Sequence, residues 1–128
     1  MRYLGIDYGT KRIGIAISDG GGRIAFPNSI LSNDNKIIEN LKKLIEENNI
    51  QKIVIGESKN YKMMDNEIMA DIYDLQKILE NQFSLDVVLH SEVLTSVQAK
   101  KMSGKSEMVD ASAAAIILQS YLDLSNKK

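Results

Sequence analysis

The chain has 128 residues, enough for one domain around one core. Its 44% apolar and 26% charged residues are those of an ordinary globular protein. A net charge of −1 leaves any nucleic-acid site to a local basic patch. The absence of cysteine excludes disulfides, thiolate zinc sites and cysteine nucleophiles, and a single histidine excludes a multi-histidine metal site. No apolar run reaches the roughly 18 residues of a membrane span and no signal-peptide pattern opens the chain, so a cytoplasmic protein without membrane contact is expected.

The opening stretch MRYLGIDYGTKRIGIAISD reads as two strands joined by a tight turn. Tyr3 to Ile6 run into Asp7. Ile13, Ile15 and Ile17 alternate with Gly14, Ala16 and Ser18, the period of two that marks a strand with one large-side-chain face. Gly9 in the turn is expected to supply a permissive φ, and the small residues let a backbone or a phosphate come close. Burying a lone carboxylate costs several kcal/mol unless it is paired or holds a metal. Asp7 therefore either caps its own turn or does chemistry. Gly20 to Gly22 form a flexible turn, and Arg23 to Phe26 a short third strand stopped by Pro27, the one proline.

Asn33-Asp34-Asn35 offers an N-cap, and Ile37, Ile38, Leu41, Leu44 and Ile45 recur at helical spacing, which predicts a helix over about 34–48. Lys52 to Gly56 is a buried strand of the parallel-sheet kind, reached by a right-handed crossover. After a polar loop beginning at Glu57, a second helix is predicted over 65–82, then a strand over 86–89. A third helix opens at Glu92. A break at MSGKSE (102–107) precedes a last helix starting near Met108 or Val109, with Asp110 in its first turn. These elements form a single domain over 1–124, with 125–128 as a frayed tail.

An antiparallel meander followed by two crossovers gives an α/β fold with a five-stranded mixed sheet in the order 3-2-1-4-5. The first, fourth and fifth strands then end on one edge, where open α/β sheets bind ligands. Asp7 and Glu57 end strands there, Glu92 follows another, and Asp110 could arrive from its helix. Clustered carboxylates raise one another's pKa unless a cation offsets the repulsion. Mg²⁺ or Mn²⁺, one or two ions, suits an oxygen-only donor set and points to phosphodiester hydrolysis.

Three segments carry a resemblance: LGIDYGTKRIGIAISD, LTSVQA (94–99) and VDASAAAIILQSYLD (109–123). Over nearly the whole chain the sequence resembles the YqgF-type pre-16S rRNA nucleases, which are Holliday junction resolvase-like members of the RNase H-like superfamily. The resemblance implies an RNase H-like fold with helices on both faces of the sheet. It also implies divalent-metal nuclease chemistry and a role in maturing the 5′ end of 16S rRNA in ribosome biogenesis. Asp7 matches the family's strand-one aspartate, Asp110 its C-terminal-helix aspartate, and Glu92 the glutamate of its Asp-Glu-Arg triplet. Ser91 and Val93 depart from that triplet. Glu57 stands where the family has Leu of Gly-Leu-Pro and where other RNase H-like nucleases carry an acid. Asp7, Glu92 and Asp110 are thus the expected catalytic metal ligands, with Glu57 a fourth ligand or substitute.

Thr10, Lys11, Arg12, Lys59, Thr95 and Lys105 are the candidate nucleic-acid contacts; the bland alternative is an ordinary mixed-charge surface. His90 is a possible proton shuttle or a structural residue. The partner is RNA, pre-16S rRNA first, or branched DNA, handled by a monomer or homodimer. The competing functions are a junction-resolving DNA endonuclease and a catalytically weak RNA- or ribosome-binding factor. A nucleotide-handling enzyme is a further one, since Asp7-Tyr8-Gly9-Thr10 also resembles a kinase-type phosphate loop.

Overall fold

The computed structural model describes residues 1–57, 65–91 and 106–125. The elements are β1 (Arg2–Asp7), β2 (Arg12–Ser18), β3 (Ala25–Ser32), α1 (Ile37–Glu47), β4 (Ile50–Glu57), α2 (Asp65–Phe83), β5 (Asp86–Ser91) and α3 (Ser106–Ser125). The strands form one sheet in the order β3-β2-β1-β4-β5. β1 pairs antiparallel with β2 and parallel with β4, and β5 runs parallel to β4. This is the expected topology. The helix expected to open at Glu92 lies outside the described residues.

Strand alternation divides the core in two. Leu4, Ile6, Ile13, Ile15, Ile17, Ile53, Ile55 and Val87 point to one side, where they bury Ile37, Leu41 and Ile45 of α1 and Ile72, Leu75 and Leu79 of α2. The other side is built small. Ala16 and Val54 pack there against Ala114, Ala115, Ile117, Leu118 and Leu122 of α3. The reason for small residues is distance. A Cβ at Gly5 would stand 2.8 Å from Cβ of Leu118 and 3.1 Å from the Ala114 carbonyl oxygen. At the far end of the helix the Tyr121 ring meets the Tyr3 ring at 6.1 Å between centroids. Ala114 over Gly5 and Tyr121 beside Tyr3 mean that α3 runs antiparallel to β1.

Three local expectations are corrected. β3 does not stop at Pro27 but runs through it to Ser32. The register slips between Ile15, paired with Ser29, and Ala16, paired with Pro27, so that Asn28 is the extra residue of a bulge. β3 is also an edge strand, and bulges and edges are where a strand tolerates a proline without an N–H to donate. α1 starts at Ile37, and no side chain caps it; Asp34 instead closes a turn ahead of it, its carboxylate accepting from the Lys36 N–H at 2.9 Å. α3 begins at Ser106, two residues before Met108.

The β2–β3 loop is organised rather than merely flexible. The Asp19 carboxylate accepts from the N–H groups of Arg23 (2.8 Å) and Ile24 (3.1 Å), and Gly22 takes a φ of +68°, which favours glycine. Those two backbone donors hold the Asp19 pKa below its ordinary value. With the folded-state pKa lowered, the contribution of Asp19 is complete above the unfolded value of about 3.9 and is lost as pH falls through the folded one. Asp19→Asn keeps an acceptor oxygen without the charge. Thermal melts between pH 2 and pH 7 should therefore show a shallower acid-side loss of stability in the variant. Parallel acid limbs for the two proteins would remove Asp19 from the acid response.

Candidate functional site

Asp7 is the last residue of β1 and is half-buried. The sheet register sets it in a row that reads Ile30, Gly14, Asp7, Gly56, His90 from β3 to β5. Its register partners on both sides are thus glycines. By alternation from Tyr3 and Gly5, Asp7 belongs to the face that α3 covers.

The turn after Asp7 is tight and clamped. A Cβ at Gly9 would lie 2.3 Å from the Arg12 carbonyl oxygen, while its φ is not in the left-handed region. Gly9 is thus demanded by close approach and not by the permissive φ expected of it. Asn33 grips the turn from β3's end. Its amide donates to the Gly9 carbonyl at 2.8 Å, and its backbone N–H to the Lys11 carbonyl at 2.9 Å. Thr10, Lys11 and Arg12 are exposed on this turn, beside Asp7 at the same edge.

The backbone of α3 relates position 110 to this edge. Asp110 precedes Ala114 by one helical turn, about 6 Å of rise, in the same i, i+4, i+8 row as Ala114 and Leu118. Asp7 follows Gly5 by two strand residues, about 6.6 Å. Because α3 and β1 are antiparallel and cross at Gly5, both steps lead to the same edge of the sheet. Glu57, which ends β4, is in register with Ser91, which ends β5. Glu92 is the next residue of the chain. Glu92, Lys59, Thr95 and Lys105 lie outside the described residues, and so do the side chains of Glu57 and Asp110.

A second set of polar contacts fastens α3 from the flanks. His90 Nε2 and Ser120 Oγ are 2.9 Å apart, and the His90 ring meets Tyr121 edge-on at 5.9 Å. On the other flank, the Gln119 side chain accepts from the Ala25 N–H and donates to the Arg23 carbonyl. The Lys52 ammonium lies 5.5 Å from the Tyr121 ring centre. A hydrogen bond with the Tyr121 hydroxyl, reinforced by the charges around it, holds the Lys52 pKa above its ordinary value against partial desolvation. Sequence reasoning missed Asn33, Gln119 and Ser120 as site-shaping residues. Asn33 carried only the signal of a helix cap, and nothing in the pattern distinguishes the two polar residues of α3 from solvent-facing ones.

A five-stranded mixed sheet in this order with helices on both faces is an RNase H-like fold. A structure of T. thermophilus RuvC in complex with a Holliday junction substrate superposes with a TM-score of 0.65 at 12% identity, covering 98% of this chain and 97% of that one. The sequence model described as "RuvX: Holliday junction resolvase" matches residues 1–124, and the chain belongs to that family. A relative from Shouchella clausii (strain KSM-K16), named "Putative pre-16S rRNA nuclease", is 38% identical over 96% of this chain and 95% of its own length. One of the same name from Geobacillus sp. (strain WCH70) is 34% identical, over 96% of this chain and 98% of its own.

Proposed function

We propose that this protein is a divalent-metal-dependent nuclease that hydrolyses phosphodiester bonds in structured RNA and acts in the 5′-end processing of pre-16S rRNA. One observation carries the reading: α3 runs antiparallel to β1 across Gly5, so that the chain positions of Asp7 and Asp110 advance to one edge of the sheet. The names of the relatives supply the substrate.

Asp7, Glu92 and Asp110 are the metal ligands, and Glu57 is a fourth. The donor set fits a hard cation: it is all carboxylate, in a chain without cysteine and with a single histidine. The two residues in register with Asp7, Gly14 and Gly56, add no side chain of their own to the place of an ion and its waters. Bound there, Mg²⁺ or Mn²⁺ supplies an activated water and takes up charge on the leaving oxygen. The chain's own residues do the rest. The carboxylates hold the charge that attracts the cation, Asn33 fixes the turn, and Thr10, Lys11 and Arg12 meet the phosphates that flank the cut. Lys59, Thr95 and Lys105 extend that contact. Glu57 has the register parity of Ile53 and Ile55 and therefore ranks as an accessory ligand. Such a substrate places the enzyme in the cytoplasm. One chain holds the whole acid set, so a monomer suffices for a single cut.

The description of the family favours a second reading, cleavage of branched DNA, in which paired cuts call for a homodimer. Incubation of the protein with precursor 16S rRNA and with a four-way DNA junction, each in Mg²⁺ and in EDTA, separates the two. Mg²⁺-dependent shortening of the RNA is the expected result. Cleavage of the junction alone would transfer the assignment to DNA, and binding of RNA without cleavage would make the protein a binding factor.

A further inference from the structure

We propose that the hydrogen bond between His90 and Ser120 is a positioning link of the nuclease site. It ties the strand end leading to Glu92 to the helix that carries Asp110. The inference rests on the reading of those two acids as ligands of one metal site.

His90 stands in the row of Asp7, two strands away at about 9.6 Å, with only Gly56 between them. It is the last residue but one of β5, so its place sets where the chain leaves for Glu92. Among the described residues, α3 packs closely on β2, β1 and β3, less on β4 and least on β5. Backbone packing therefore does little to fix β5 against the helix. The side chains do it instead: Nε2 of His90 to Oγ of Ser120 at 2.9 Å, with the ring edge against Tyr121. Gln119, the neighbouring helix residue, makes the matching tie to β3 on the opposite flank. The helix is thus held from both sides by consecutive residues, and each tie sets the tilt of α3 over the sheet.

The consequence falls on the metal. Mg²⁺ demands near-ideal octahedral geometry at about 2.0–2.1 Å, so ligands drawn from β1, α3 and the residue that follows β5 must keep their separations closely. Residues that orient ligands without touching the ion typically change affinity by about 10–100-fold when lost. His90 is in this role a positioning residue, which acts through Ser120.

The test compares His90→Ala, His90→Gln, Ser120→Ala and the His90→Ala/Ser120→Ala pair in the full chain. The readouts are direct Mn²⁺ binding by calorimetry, the Mg²⁺ concentration that half-saturates cleavage, and Tm. Each alanine variant should raise the Mn²⁺ Kd and the half-saturating Mg²⁺ about tenfold, the lower end of that range. The double variant should be no worse than the worse single one. Glutamine, whose amide reaches toward the place of Nε2, should restore most of the affinity. Should His90→Ala fail to fold, Ser120→Ala keeps the ring and answers the same question. Wild-type metal affinity in a folded alanine variant, or fully additive losses in the pair, would overturn the link while leaving the metal site standing. A wild-type protein that neither binds Mn²⁺ nor cleaves would overturn the ligand assignment itself, and the link with it.

Discussion

Replacing Asp7 by asparagine is expected to lower Mg²⁺-dependent cleavage by about 10³-fold or more while leaving the fold intact. Asparagine has the shape of aspartate but not its charge. Losing one anionic ligand from a cation that stabilises the transition state by several kcal/mol costs about three powers of ten at 1.36 kcal/mol each. The fold should persist, because asparagine is nearly isosteric with aspartate at this half-buried strand end. The same loss is expected for Asp110→Asn. Glu57→Gln should retain more activity than either, since position 57 has the parity of the opposite face. The check is cleavage of precursor rRNA by purified variants whose melts match the wild type. Undiminished cleavage by either aspartate variant would reject the assignment.

Gly5→Ala should damage both stability and activity. The new methyl group would stand 2.8 Å from Cβ of Leu118 and 3.1 Å from the Ala114 carbonyl, both fixed parts of α3 rather than the end of a flexible side chain. The helix must lift or slide. Overpacking of this kind costs about 1–3 kcal/mol, and alanine's smaller unfolded-state entropy returns only about 0.4–1 kcal/mol of it. A fall in Tm of up to roughly 10 °C follows for a domain of this size. The informative part is activity measured well below that Tm. Moving α3 shifts position 110 against Asp7, and a displacement of about 1 Å in a positioned site costs on the order of 10²-fold. Activity that tracked the folded fraction alone would mean that the crossing at Gly5 does not set the site.

Much of the architecture was legible because period and punctuation were strong. Ile13, Ile15 and Ile17 declare a strand, Ile37, Leu41 and Ile45 a helix face, and the meander followed by two crossovers leaves one simple sheet order. Pro27 misled because a proline ends a central strand but not a bulged edge strand, and the bulge depends on pairing with Ile15 and Ala16. Gly9 misled as to its reason: a glycine needed for space and one needed for φ look the same as letters. Asn33 was read as a cap, since a helix follows it. In fact it holds the β1–β2 turn 24 residues away in sequence.

By itself the sequence determined which chemistry was available: carboxylates without cysteine, one histidine, and an aspartate placed to end the first strand. Only the tertiary structure decided that α3 lies antiparallel across β1, with Gly5 as the crossing point, and that His90 reaches Ser120. Residue type and local period are properties of neighbours in the chain. The tilt and register of a helix on a sheet come from steric fit between residues more than a hundred positions apart, which no local pattern encodes.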